Sequence, residues 1–178
     1  MLCGSLRGGS TNHAALRTAA DVLPAGARAE MFEAMAQLTH FNPDDDHSPL
    51  PAAVQDLRTA LDRADAVLIS TPEYAGALPG SFKNLLDWTI GGGEIYGKPV
   101  AWINISGPAA PSGGADAHDS LRKVLGYAGA DIVEAACARI PIVRGDVGDD
   151  GVVGDEAIRR QLTDALDRLL RHVSGRAR

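Results

Sequence analysis

Three observations predict an α/β fold, a parallel sheet covered on both faces by helices. Apolar runs and amphipathic helical stretches alternate along the whole chain. The clearest run, Ala66-Val67-Leu68-Ile69-Ser70, is apolar without a period of two, as in a strand buried on both faces. Loops rich in Gly, Ser and Pro follow the first, third and fourth runs, at the sheet edge where such folds bind ligands.

The elements follow in order. Met1-Leu2-Cys3 is the candidate first strand, and three residues are few for an element that averages roughly five to six. A helix is expected over Asn12–Val22, and a second strand at about Arg28–Phe32. Pro51 suits the first turn of a helix running to about Ala64, with Val54, Leu57 and Leu61 at helical spacing. The third strand is Val67–Thr71, followed by a helix over Ser81–Ile90. Lys98–Ser106 is a strand with Pro99 at its start, where a missing donor costs least. A Gly/Pro/Ala loop leads to a helix at about Ala117–Tyr127, then to a fifth strand at Ile132–Cys137 and a closing helix over Glu156–His172.

At 178 residues one domain spanning 1–178 is expected, large enough for a sound core. A hydrophobic share of 45% places the chain among globular proteins. The net charge of −6 gives no basic footprint for nucleic acid. No apolar run approaches the roughly 20 residues of a membrane span, and Arg7 interrupts any signal peptide. Cys3 and Cys137 read as buried thiols of a reducing, cytoplasmic setting. His13, His40, His47, His118 and His172 show no metal spacing. Asp146-Val147-Gly148-Asp149-Asp150-Gly151 fails as a calcium loop, because Gly148 sits where a ligand is needed and the twelfth position is Ala157. It reads as an acidic turn, Asp44-Asp45-Asp46-His47 as a solvated loop, and Arg171, Arg176 and Arg178 as a frayed tail.

Two loops carry the chemistry. In Gly4-Ser5-Leu6-Arg7-Gly8-Gly9-Ser10-Thr11-Asn12, the hydroxyls, the amide and a guanidinium precede a helix whose free N–H groups favour an anion. The P-loop is excluded because no Lys precedes Ser10, and the dinucleotide G-x-G-x-x-G fingerprint is absent, so a monophosphate is favoured. The same residues also fit a Gly/Ser turn with Ser10 or Thr11 as the helix cap. In Thr71-Pro72-Glu73-Tyr74-Ala75-Gly76-Ala77-Leu78-Pro79-Gly80, Pro72 stiffens the exit, Tyr74 offers a stacking ring and Gly76 permits close backbone approach. Such a loop can read the edge of a heterocycle, or be a plain Pro-rich turn.

Ser5-x-Arg7-x-x-Ser10-x-Asn12, with Pro72-Glu73-Tyr74-x-Gly76-x-x-Pro79-Gly80-x-x-Lys83-Asn84-x-x-Asp87-Trp88, closely resembles the NADPH-dependent FMN reductase family, which includes quinone, chromate and azo-dye reductases. The resemblance implies a flavodoxin-like three-layer sandwich with a five-stranded parallel sheet. It implies that Ser5, Arg7, Ser10, Thr11 and Asn12 hold the FMN phosphate. Pro72, Glu73, Tyr74, Ala75 and Gly76 would border the isoalloxazine, and Ser106-Gly107 onward to Gly113-Gly114 would close its far side. NADPH or NADH would be the electron donor, a flavin, quinone or similar small molecule the acceptor, and the assembly a homodimer or homotetramer. Catalysis would need no catalytic side chain, since the chemistry lies at FMN N5.

Two departures from the family pattern stand out. Ala75 occupies a position where relatives usually carry Asn, and the first strand, central in this fold, is short, so the natural chain is expected to start upstream of Met1. They keep open a flavin-free binding protein on this scaffold, beside a flavodoxin-like electron carrier. Trp88 and Trp102 are expected in the core or at a subunit interface, and helix 81–90 is either a subunit contact face or a core-packing helix. His118, near the third loop, is only a minor candidate to approach a nicotinamide phosphate from a neighbouring subunit.

Overall fold

Alternate side chains of the central strands enter two separate cores, and this decides the layering. The computed structural model describes residues 1–107 and 110–176. From β2 (Val67–Ser70) and β3 (Pro99–Asn104), the side chains of Val67, Ile69, Val100 and Trp102 point to one face. There they meet α2 (Ala52–Arg63), α3 (Gly80–Asp87) and α4 (Ala115–Tyr127) through Val54, Leu57, Phe82, Leu85, Leu121 and Leu125. Leu68, Ala101 and Ile103 point to the other, where α1 (Thr11–Asp21) and α5 (Glu156–Arg176) pack through Leu16, Ala19, Leu162, Leu166 and Leu169. These strands are apolar at nearly every position because both faces are covered.

β1 (Leu2–Cys3) pairs with β2, β2 with β3, and β3 with both β4 (Asp131–Ile132) and β5 (Ala138–Arg139). All pairings are parallel, in a sheet of five strands. The expected single strand Ile132–Cys137 is broken in two. β4 lies beside Pro99 and Val100, β5 beside Ile103 and Asn104, and a 3-10 turn over Glu134–Ala136 separates them. Glu134-Ala135-Ala136 has no β-branched side chain to favour extension, and Arg168 of α5 donates to the freed Ala135 carbonyl at 2.9 Å.

The expected strand at Arg28–Phe32 is also corrected: the segment forms no ladder. Met1 N donates to Glu30 O at 2.6 Å and Phe32 N to Met1 O at 3.1 Å, which is one parallel rung. Ala29 and Glu30 are poor strand formers. The rung still fixes the topology. The segment flanks β1 on the side away from β2, so the chain crosses from β1 to one neighbour and returns to the other. That reversal makes the carboxyl ends of β1 and β2 the switch point where ligands bind in open α/β sheets. A cavity of about 950 Å³, lined by Leu2, Leu57, Leu61, Leu166 and Leu169 among others, opens at the opposite, amino-terminal edge.

One open reading resolves and two smaller expectations change. Of the two roles open for helix 81–90, the structure shows core packing for Phe82, Leu85, Leu86 and Trp88, with Trp88 fully buried and donating to Thr39 O at 2.9 Å. Asp46 leaves its acidic loop to meet Arg58 at 2.7 Å, and Arg58 also donates to Trp88 O. Arg176 is anchored, not frayed, donating to Gly97 O and to Asp131, each at 2.7 Å; Arg178 lies outside the described residues. No helix is long and apolar enough to cross a membrane among the described residues.

Candidate functional site

The first loop leaves β1 against the end of β2. Gly4 N donates to Ser70 O at 2.8 Å. A Cβ at Gly4 would lie 2.5 Å from Thr71 Cβ and 3.0 Å from Thr71 Cα, so only glycine lets the two loops meet here. Ser10 is the N-cap of α1: its Oγ accepts from Asn12 N at 3.2 Å. Asn12 is buried, and its Oδ1 accepts from Ser70 Oγ at 2.9 Å, locking helix to sheet. Ser5 Oγ accepts from Arg7 N at 3.3 Å. Ser10 and Asn12 therefore shape the loop from within, while Thr11 and Ser5 are half-buried and Arg7 is exposed.

The electrostatics of this loop suit an anion. The first turn of α1 contains no acidic residue. Among the described residues Arg7 makes no ion pair, and the backbone N–H groups of Gly8, Gly9 and Thr11 donate to no acceptor. Unmatched backbone donors and a helix N-terminus lie together here, with the unpaired Arg7 on the same loop. A phosphate fits this donor set.

The second loop folds into a tight reverse turn. Tyr74 N donates to Ala77 O at 3.0 Å and Ala77 N to Tyr74 O at 3.1 Å. Ala75 (φ 52°) and Gly76 (φ 71°) both adopt left-handed backbone, the signature of a type I′ turn. Tyr74 is 55% exposed at its rim. Asn-Gly is the preferred pair for such a turn, so Ala75 departs from a conformational preference as well as lacking an amide.

Asn104, ending β3, pins the third loop at both ends. Its Nδ2 donates to Gly113 O and its Oδ1 accepts from Ser106 N, each at 2.9 Å. Gly114 (φ 78°) packs so closely that a Cβ would sit 2.8 Å from Asn104 Oδ1. Residues 108–109 of this loop lie outside the described residues. Pro72 precedes Glu73, whose carboxylate accepts from Ser112 Oγ and, at 3.2 Å, from Ala117 N. Glu73 thus ties the second loop to the third and to the start of α4.

Sequence reasoning missed a fourth segment. Beyond β5, Ile140 N donates to Asn104 O at 2.8 Å and Ile142 N to Ile105 O at 3.1 Å. The chain then enters a 3-10 turn over Arg144–Asp146, with Asp146 Oδ2 accepting from Val143 N at 2.8 Å. Val143 reaches the third loop, where a Cβ on Gly107 would lie 3.5 Å from its Cγ1. Arg144 donates to Gly9 O of the first loop at 2.9 Å. No local signal could have revealed a contact across 135 positions.

His118 is not offered to a neighbouring subunit. It is 6% exposed, lies 6.0 Å from Trp102 in a stacked arrangement, and neither ring nitrogen has a partner among the described residues. Burial lowers its pKa to about 4, against the opposing pull of the Glu73 charge. Cys3 and Cys137 are free. Burial raises both thiols, Cys137 to about 11, so neither is a reactive thiolate at neutral pH.

A five-stranded parallel sheet covered by helices on both faces, with the first and second loops meeting at the carboxyl ends of β1 and β2, defines a flavodoxin-like fold. The chain matches the model of the NADPH-dependent FMN reductase family over residues 1–141, and it belongs to that family. It is 36% identical over 126 residues to an NAD(P)H-dependent FMN reductase of Pseudomonas aeruginosa, covering 70% of this chain and 66% of that protein. It is 35% identical over 127 residues to the quinone reductase of Escherichia coli, with the same coverage of 70% and 66%. The match thus spans just under two thirds of the length of these relatives. Among solved structures it resembles FerB of Paracoccus denitrificans, a flavoenzyme NAD(P)H:(acceptor) oxidoreductase, at TM-score 0.84 and 28% identity over 98% of this chain and 95% of that one. A WrbA-like flavodoxin from Agrobacterium tumefaciens shares the fold, at TM-score 0.61 and 17% identity over 96% and 95% of the two chains.

Proposed function

We propose that this chain is an FMN-dependent NAD(P)H oxidoreductase of the flavin or quinone reductase type. The observation that carries this reading is the pairing of an acid-free, donor-rich first loop with an exposed aromatic turn, packed together at Gly4 and Thr71. In this reading Arg7, Ser5, Ser10, Thr11 and Asn12 bind the FMN phosphate. Pro72, Glu73, Tyr74, Ala75 and Gly76 form the border of the isoalloxazine, and Ser106 and Gly107 close the other side. FMN held by these residues would supply the redox chemistry, hydride transfer from NADPH or NADH at N5 and onward reduction of a flavin, quinone or similar acceptor in a ping-pong cycle.

The chain's own residues do the placing. The I′ turn presents backbone amides and carbonyls to the heterocycle edge, where fixed donors favour a developing negative charge. Asn104 and Glu73 hold the loops so that this edge is in place before ligand arrives. No side chain is required as an acid or base in this reading. A homodimer or homotetramer in the cytoplasm completes the proposal; two free thiols suit a reducing compartment.

Steady-state oxidation of NADPH and NADH by the FMN-loaded protein, with a quinone or free flavin as acceptor, tests the reading. Parallel double-reciprocal lines are expected. FMN binding without nicotinamide oxidation would instead mark an electron carrier.

A further inference from the structure

We propose that Arg144 sets the selectivity of the first loop for a phosphorylated flavin, FMN over riboflavin. The inference rests on the FMN reading above and adds a residue that lies beyond the matched family region, which ends at residue 141.

Position comes first. Arg144 Nη1 donates to Gly9 O at 2.9 Å, and a Cβ on Gly9 would lie 3.7 and 3.8 Å from its two terminal nitrogens. The guanidinium therefore lies alongside the Gly9 α-carbon, next to the free N–H groups of the loop. Asp146 braces the 3-10 turn by accepting from Val143 N, so the arginine projects from a fixed base. Gly9 sits at φ 64°, and Arg144 holds the carbonyl of that left-handed residue.

Charge comes second. Among the described residues Arg144 has no carboxylate partner, and its Nη2 and Nε make no hydrogen bond. Arg7 is likewise without an ion pair, and the helix behind both has no acidic residue in its first turn. The nearest carboxylate on its own turn, Asp146, is engaged with Val143 N rather than with the arginine. A phosphate dianion can take the unused Arg144 N–H groups as charge-assisted partners beside the helix N-terminus. A neutral ribityl hydroxyl brings no such charge, so the residue discriminates on charge.

The test measures FMN and riboflavin affinity side by side, by fluorescence quenching, for the wild type, Arg144→Gln and Arg144→Lys. The wild type is expected to prefer FMN strongly. Arg144→Gln should lower the FMN-to-riboflavin preference about tenfold, mainly through FMN, with riboflavin affinity held. Arg144→Lys, which keeps the charge but not the fork, should lose less. FMN affinity of the wild type should also fall more steeply with added NaCl than that of Arg144→Gln. Equal weakening of both flavins would mean that Arg144 only props up Gly9, and would overturn the proposal. So would an unchanged preference in both variants. In either case, wild-type FMN binding would leave the reductase reading standing. A wild type that binds neither flavin overturns both.

Discussion

Ser10 is a residue whose role is written in its immediate neighbours. A hydroxyl residue ahead of an apolar helical stretch reads as a cap, and Ser10 caps α1 through Asn12 N. Asn12 was legible as a polar loop residue, but its grip on Ser70 was not, because 58 positions separate the partners. Arg144 was illegible for the same reason. Arg7→Ala is expected to weaken FMN binding by about 2 kcal/mol, roughly thirtyfold, since a charge-assisted phosphate contact is lost. Titration of FMN fluorescence checks this, with unchanged circular dichroism as the folding control. At the turn, Ala75 carries a Cβ at φ 52°, where glycine has no steric penalty. Ala75→Gly should therefore stabilise the protein by about 1 kcal/mol, read as a raised urea midpoint with unchanged slope. A lowered midpoint would mean that Ala75 makes a contact worth more than the strain.

Among the elements, helices were easier to read than strands, for a physical reason. Val54, Leu57 and Leu61 mark α2 by spacing alone, and Pro51 ends up as its N-cap, one position outside the helix. A strand depends on its neighbours. Arg28–Phe32 has one rung to β1 and no ladder, and Ile132–Cys137 is interrupted because α5 secures a turn there through Arg168. The loops were legible as loops, yet the strut between them was not: Glu73 reaches Ser112 and Ala117 N across the crevice. Glu73→Ala should free the amino end of α4 and loosen the third loop. The expected cost is about 1–2 kcal/mol of stability, for a lost cap with a favourable helix-dipole charge. Hydrogen exchange should rise over 110–118 while α5 is unchanged, and uniform protection would contradict the strut.

The whole molecule responds to acid through His118. Its folded pKa, about 4, lies below the ordinary 6.5, so between those values the unfolded chain binds the proton that the folded chain refuses. Stability is therefore full above about pH 6.5 and falls as the pH drops toward 4, by about 3 kcal/mol in all. His118→Phe should flatten the pH dependence of the urea midpoint across that window. The scale of the whole fold is also where the sequence was most informative. Two-sided burial of Val67–Ser70, alternation of elements and loops at one edge together specify the layers and the sheet edge where the loops gather. The central claim is that this edge carries a flavin reduced by a nicotinamide. The most direct measurement is the visible spectrum of the protein after loading with FMN, removing excess and adding NADPH without oxygen. The account predicts a retained flavin band that bleaches and returns when a quinone is added. A protein that retains no flavin band, or whose band persists with both NADPH and NADH, would contradict it.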